Sequence, residues 1–124
     1  MNAAINVLDE TARVKGGRKI ALLGDMRELG TTTATLHAGV GSYLAEKKPD
    51  FLFTYGELSS ENLANGAVNN GMSEKQIFRN PVTDAEAVAK KLLSVLKEGD
   101  VLLVKASRAL RAEKVLDCIK AQLA

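Results

Sequence analysis

Two groups of polar residues stand where short apolar runs end. Lys19–Gly30 reads KIALLGDMRELG, and Val101–Arg108 reads VLLVKASR. In an open α/β sheet, ligands bind outside the carboxyl ends of parallel strands, where loops and helix N-termini converge. Lys105, Ser107 and Arg108 carry the second group. Ser107 suits a helix N-cap. A helix starting there brings roughly half a positive charge to its N-terminus, which Lys105 and Arg108 reinforce. A guanidinium can also hold a carboxylate through two parallel hydrogen bonds. The segment therefore reads either as a plain helix cap or as a site for a carboxylate or phosphate.

The first group is Gly24, Asp25, Met26, Arg27, Glu28, Leu29 and Gly30. It sits where a dinucleotide fold carries its glycine fingerprint, but it lacks the middle glycine that lets a pyrophosphate approach the backbone. No Gly-Lys-Ser/Thr run occurs in the chain, so a P-loop is excluded as well. Asp25 and Glu28 with Arg27 suit a ribose, an ammonium group, a partner domain, or only a solvated connection. His37, the single histidine, follows this loop. It lies off the stripe formed by Leu36, Val40 and Leu44, and reads as an orienting partner of Asp25 or Glu28 rather than a general base. Cys118, the single cysteine, has no activating base in the pattern and reads as structural. Nothing in the chain resembles a nucleophile with its base and orienter.

These residues need a scaffold. Met1, Ala4, Ile5, Leu8 and Ala12 recur at helical spacing and Gly16-Gly17 ends that helix. Lys19–Leu23 reads as a buried strand, with Thr31, Thr32 or Thr33 as N-cap of the helix that follows. Phe51–Tyr55 is a second strand closed by Gly56. A third helix runs through Leu63, Ala64, Ala67 and Val68 to Asn69-Asn70-Gly71. Gln76–Phe78 is a short strand. Thr83 and Glu86 match a capping box that opens a helix through Ala85, Val88, Ala89, Leu92 and Leu96. Val101–Val104 reads as the clearest buried strand, and Ala112, Val115, Leu116, Ile119 and Leu123 as one face of the last helix. This alternation implies an α/β fold with right-handed crossovers and a mainly parallel sheet. The chain opens inside a helix with no leading cap, as expected of a piece of something longer.

Composition narrows the function. One domain is expected at 124 residues. A net charge of +2, with basic and acidic residues nearly balanced, argues neither for nucleic acid nor for an anionic membrane surface, and neither is expected as a partner. Two tyrosines, three phenylalanines and no tryptophan offer no base-stacking platform. One cysteine and one histidine cannot build a cysteine- or histidine-rich metal site. No apolar run approaches the ~20 residues of a membrane helix, and the first residues are unlike a signal peptide, so a cytoplasmic location is expected.

The order LLGDMRELG, His37 with Gly41, Asp50, Gly56 and GDVLLVKASR resembles the third domain of the Mur ligases. Within that family it is most similar to the branch with LGDM-x-ELG followed downstream by GD-x-VLVKGSR. MNAAI resembles the stretch after that branch's Y-N-A-N-P-x-S motif. The resemblance implies a Rossmann-like three-layer αβα sandwich, the C-terminal domain of an enzyme whose N-terminal and P-loop domains lie outside these residues. It further implies peptidoglycan precursor synthesis, in which ATP and Mg2+, bound mainly elsewhere in the full-length enzyme, drive addition of D-Ala-D-Ala to UDP-MurNAc-tripeptide. The central ATPase domain is the implied partner in cis, and the chain alone is expected to be inactive. Asp25, Glu28 and His37 fall in the family's cleft-facing loop region, while Lys105, Ser107 and Arg108 match the segment assigned to the dipeptide. Ala106 stands where the family pattern has glycine, and Ala112 where it has methionine. The alternative is a free-standing module of the same fold that binds a small anion or a protein.

Overall fold

The computed structural model describes residues 2–26 and 32–123. Its first element is α1 (Asn2–Lys15), which buries Ile5, Leu8 and Ala12. The turn at Gly16 leads into β1 (Lys19–Gly24), whose residues after Lys19 are buried throughout. A strand covered on both faces needs such a continuous apolar run. Helix α2 (Thr33–Glu46) follows, then β2 (Phe51–Tyr55). A π-helical turn at Ser59–Leu63 runs into α3 (Ala64–Asn69). The two-residue β3 (Ile77–Phe78), α4 (Ala85–Val95), β4 (Val101–Lys105) and α5 (Glu113–Leu123) complete the order.

The four strands form one sheet in the order β3-β2-β1-β4, and all three pairings are parallel. Side chains alternate between its faces. Ala21, Leu23 and Leu52 pack with Ile5, Leu8, Val40, Leu44 and Leu63 beneath α1, α2 and α3. Ile20, Leu22, Phe53 and Tyr55 pack with Val88, Leu92, Val115 and Ile119 beneath α4 and α5. The fold is thus the expected α/β sandwich of three layers. Arg18 fastens its amino-terminal edge, donating to both carboxylate oxygens of Asp100 at 2.8 and 2.7 Å and to the Val95 carbonyl at 2.7 Å.

Several local expectations shift. The buried face of α2 is Thr33, His37, Val40, Gly41, Leu44 and Ala45, whereas Leu36 is 44% exposed. Packing against α3 rotates the helix so that His37, not Leu36, continues the Val40–Leu44 stripe. The α4 cap is Asp84 rather than Thr83: Asp84 is extended and its carboxylate accepts from the Ala87 amide at 3.2 Å. A reciprocal capping box forms instead between Ser73 and Gln76. Strand β4 is half-buried, because the strand order leaves it at the sheet edge beside β1 alone.

Candidate functional site

The connections from β1 to β2 and from β3 to β4 cross opposite faces of the sheet. The carboxyl ends of β1 and β4 therefore flank the point where strand order reverses, the usual ligand crevice of an open α/β sheet. Backbone hydrogen bonds join these ends. The Asp25 amide donates to the Tyr55 carbonyl at 3.0 Å, and the Ser107 amide donates to the Asp25 carbonyl at 3.0 Å.

The Asp25 carboxylate turns inward across this junction. It accepts from the Leu58 amide at 3.2 Å and from the Ser59 amide at 2.6 Å. It thereby caps the helical segment that follows β2, where unpaired amides attract negative charge. Gly56 makes room for it. A Cβ at Gly56 would lie 2.5 Å from the Asp25 carboxyl carbon, and the residue holds φ +117°, a left-handed conformation that favours glycine. The anticipated pairing of His37 with the Asp25 side chain does not occur. His37 is fully buried, accepts from the Met26 amide at Nε2 (3.1 Å) and lies 2.8 Å from the Thr33 carbonyl at Nδ1. Backbone groups take both nitrogens because the carboxylate is already committed to Leu58 and Ser59. Glu28, the other expected partner, lies outside the described residues.

After β4 the chain does not enter the last helix directly. Ser107 precedes a short 3-10 turn, Arg108–Leu110, and Arg111 then adopts left-handed φ 50° and ψ 49°. Helix α5 begins only at Glu113. The expectation that Ser107 caps this helix, and that the helix terminus supplies charge at Lys105–Arg108, is therefore corrected: the left-handed residue breaks the helical path between them. Lys105, Ser107 and Arg108 still converge. With Glu113 they line a cavity of about 250 Å³ floored by Val104, Ala106, Ala112 and Leu116. Lys105, Arg108 and Glu113 are exposed and Ser107 is half-buried, so hydrated charge surrounds an apolar floor.

Ala106 takes no left-handed conformation, and Gly24 accommodates its methyl. A Cβ on Gly24 would lie 2.5 Å from the Ala106 Cβ and 3.0 Å from the Tyr55 carbonyl. Ala112 is 5% exposed and packs into the α4–α5 core. Tyr55, the last residue of β2, is buried, and its hydroxyl pKa is raised first by that burial and then by Asp84. Cys118 packs half-buried against the same core. Sequence reasoning missed Glu113 as a wall of the cavity and the Met26 amide as the partner of His37. The acidic first turn of the last helix was a visible signal for Glu113; a backbone amide leaves no signal of its own.

Among the described residues no three His, Cys, Asp or Glu side chains cluster as a metal site. No helix among the described residues is long and apolar enough to cross a membrane.

Residues 1–108 match the family described as Mur ligase, glutamate ligase domain. The UDP-N-acetylmuramoyl-tripeptide–D-alanyl-D-alanine ligase of Bacillus subtilis is 35% identical over 99% of this chain and 26% of its own length. The ligase of the same name from Synechocystis is 34% identical over 93% of the chain and 24% of its own length. The crystal structure of MurF ligase from Thermotoga maritima in complex with ADP superposes with a TM-score of 0.71 at 32% identity, over 98% of this chain and 26% of that one. The chain thus spans about a quarter of the length of these relatives. The family match over residues 1–108 and the superposition over nearly the whole chain agree, and the chain belongs to the Mur ligase C-terminal domain family.

Proposed function

We propose that these residues form the third domain of an ATP-dependent ligase that adds D-Ala-D-Ala to UDP-MurNAc-tripeptide in peptidoglycan precursor synthesis. Lys105, Ser107 and Arg108 are assigned to the dipeptide carboxylate. The observation that carries this assignment is their convergence on one cavity beside the carboxyl end of β4, the strand next to β1. The fork of Arg108 suits a carboxylate bidentately, Lys105 adds a second positive charge and Ser107 a hydroxyl donor. Fixing the carboxylate end of the dipeptide orients its free amine for attack on an activated carboxyl group, which lowers the entropic barrier to amide formation. ATP, Mg2+ and the UDP-linked tripeptide are assigned mainly to the rest of the longer protein, with its central ATPase domain acting in cis. The cytoplasm, where nucleotide-linked substrates are made, is the location that accords with this reading. Asp25 and His37 are assigned to the scaffold of the site, since their side chains are satisfied internally.

The close fit between Ala106 and Gly24 is compatible with the ligase reading, because the missing family glycine is accommodated without a left-handed backbone at this position. In the longer ligase, Arg108→Ala is expected to raise KM for D-Ala-D-Ala about tenfold or more, with a smaller change in kcat. An unchanged KM refutes the carboxylate assignment. The 124 residues alone, given ATP, UDP-MurNAc-tripeptide and D-Ala-D-Ala, are expected to form no product; substantial ligation overturns the domain assignment.

A further inference from the structure

The ladder between β1 and β2 ends before the chain finishes crossing the crevice. Gly24 is the last residue of β1 paired with β2, opposite Tyr55, and the Asp25 amide still reaches the Tyr55 carbonyl. Beyond this point β2 turns away at Gly56, whose amide donates to the Asn80 carbonyl. The next donor on the β1 side, the Met26 amide, has no strand residue opposite it. A buried amide without a partner costs about as much as a lost hydrogen bond or more. Here an imidazole stands in for the missing strand.

The ring's chemistry follows from the donors around it. The Met26 N–H can only donate, so Nε2 accepts and carries no proton. The Nδ1 atom, 2.8 Å from the Thr33 carbonyl, then carries the proton and donates. His37 has no exposed surface, and an aliphatic residue would continue the Val40–Leu44 stripe without burying polar atoms. What histidine supplies is an acceptor facing β1 and a donor facing the first turn of α2.

We infer that His37 is a positioning residue: as the neutral Nδ1–H tautomer it docks the end of β1 onto α2 by accepting the Met26 amide. Its influence passes through the backbone, because the Asp25 carbonyl, one residue earlier, accepts from the Ser107 amide. The link to dipeptide binding rests on the function proposed above; the docking itself does not.

The test uses two variants that separate the ring's atoms. The amide of Gln reaches the position of Nε2, whereas that of Asn reaches only the position of Nδ1. In the 124-residue chain, His37→Asn is expected to speed hydrogen exchange at the Met26 amide several-fold, leaving the Asp25 amide protected. His37→Gln should keep Met26 close to wild-type protection. The nitrogen NMR signals of the wild-type ring should report Nδ1–H, a reading that needs no variant. An Nε2–H ring, unchanged Met26 protection in His37→Asn, or equal exposure in both variants would overturn the assignment. In the longer ligase, His37→Asn should raise KM for D-Ala-D-Ala while His37→Gln does not. An unchanged KM with a released Met26 amide removes the link to the dipeptide and leaves the docking role intact.

Discussion

The Asp25 carboxylate occupies the space that a side chain on Gly56 would need, with only 2.5 Å between an added Cβ and the carboxyl carbon. An acid that looks ligand-facing in sequence is thus a lock between β1 and the helical segment after β2. Asp25→Ala is expected to cost about 1 kcal/mol through loss of the cap. Gly56→Ala should cost more than about 2 kcal/mol, combining left-handed strain with the steric clash. Removing the carboxylate relieves the clash but not the strain. The double mutant should therefore be more stable than the sum of the single changes predicts, by about 1 kcal/mol. Urea denaturation of the four proteins tests this, and strict additivity would show that the two positions do not compete for space.

Gly24 and Ala106 form a second reciprocal pair, in which the methyl of one fills the place left by the other. Gly24→Ala should destabilise the chain by about 1–3 kcal/mol through overpacking. Adding Ala106→Gly should recover part of that loss, although Gly in place of Ala normally weakens ordered backbone. Thermal denaturation of the two single mutants and the double mutant measures the coupling. If Ala106→Gly worsens Gly24→Ala as much as it worsens the wild type, this contact does not set the cost.

The Arg18–Asp100 pair gives an acid-sensitive contribution at the opposite end of the sheet. The Asp100 carboxyl pKa is lowered from its ordinary 3.8, chiefly by the hydrogen bonds from Arg18, with burial opposing the shift. A pKa lower in the folded than in the unfolded chain stabilises above the unfolded value, and the contribution disappears as pH falls through the folded one. Wild type should therefore exceed Asp100→Asn in stability by a constant margin above about pH 5. That margin should shrink as pH falls below about 4. Denaturation midpoints across this range test it, and parallel curves for the two proteins would contradict the assignment.

Much of this was legible because amphipathic spacing is local. The alternation of strands and helices, the glycine turns and the two polar strand ends all follow from residue types a few positions apart. The boundaries that slipped did so where neighbouring residues were chemically interchangeable. Thr83 and Asp84 both suit an N-cap, and only the extended backbone at Asp84 decides which carries the helix. Lys105, Ser107 and Arg108 were visible as a group, but the 3-10 turn and left-handed Arg111 that separate them from α5 were not.

Periodicity and contiguous motifs were enough to establish the α/β class, the family and the two chain segments that meet at the crevice. Tertiary structure decided what their side chains do. Strand order placed β4 at the edge and brought its end beside β1, and packing of α2 on α3 turned His37 inward. The helical segment after β2 presented free amides that captured Asp25. A carboxylate or an imidazole offers the same chemistry in any sequence. Which donor it meets depends on groups more than ten residues away, and only folding sets those distances.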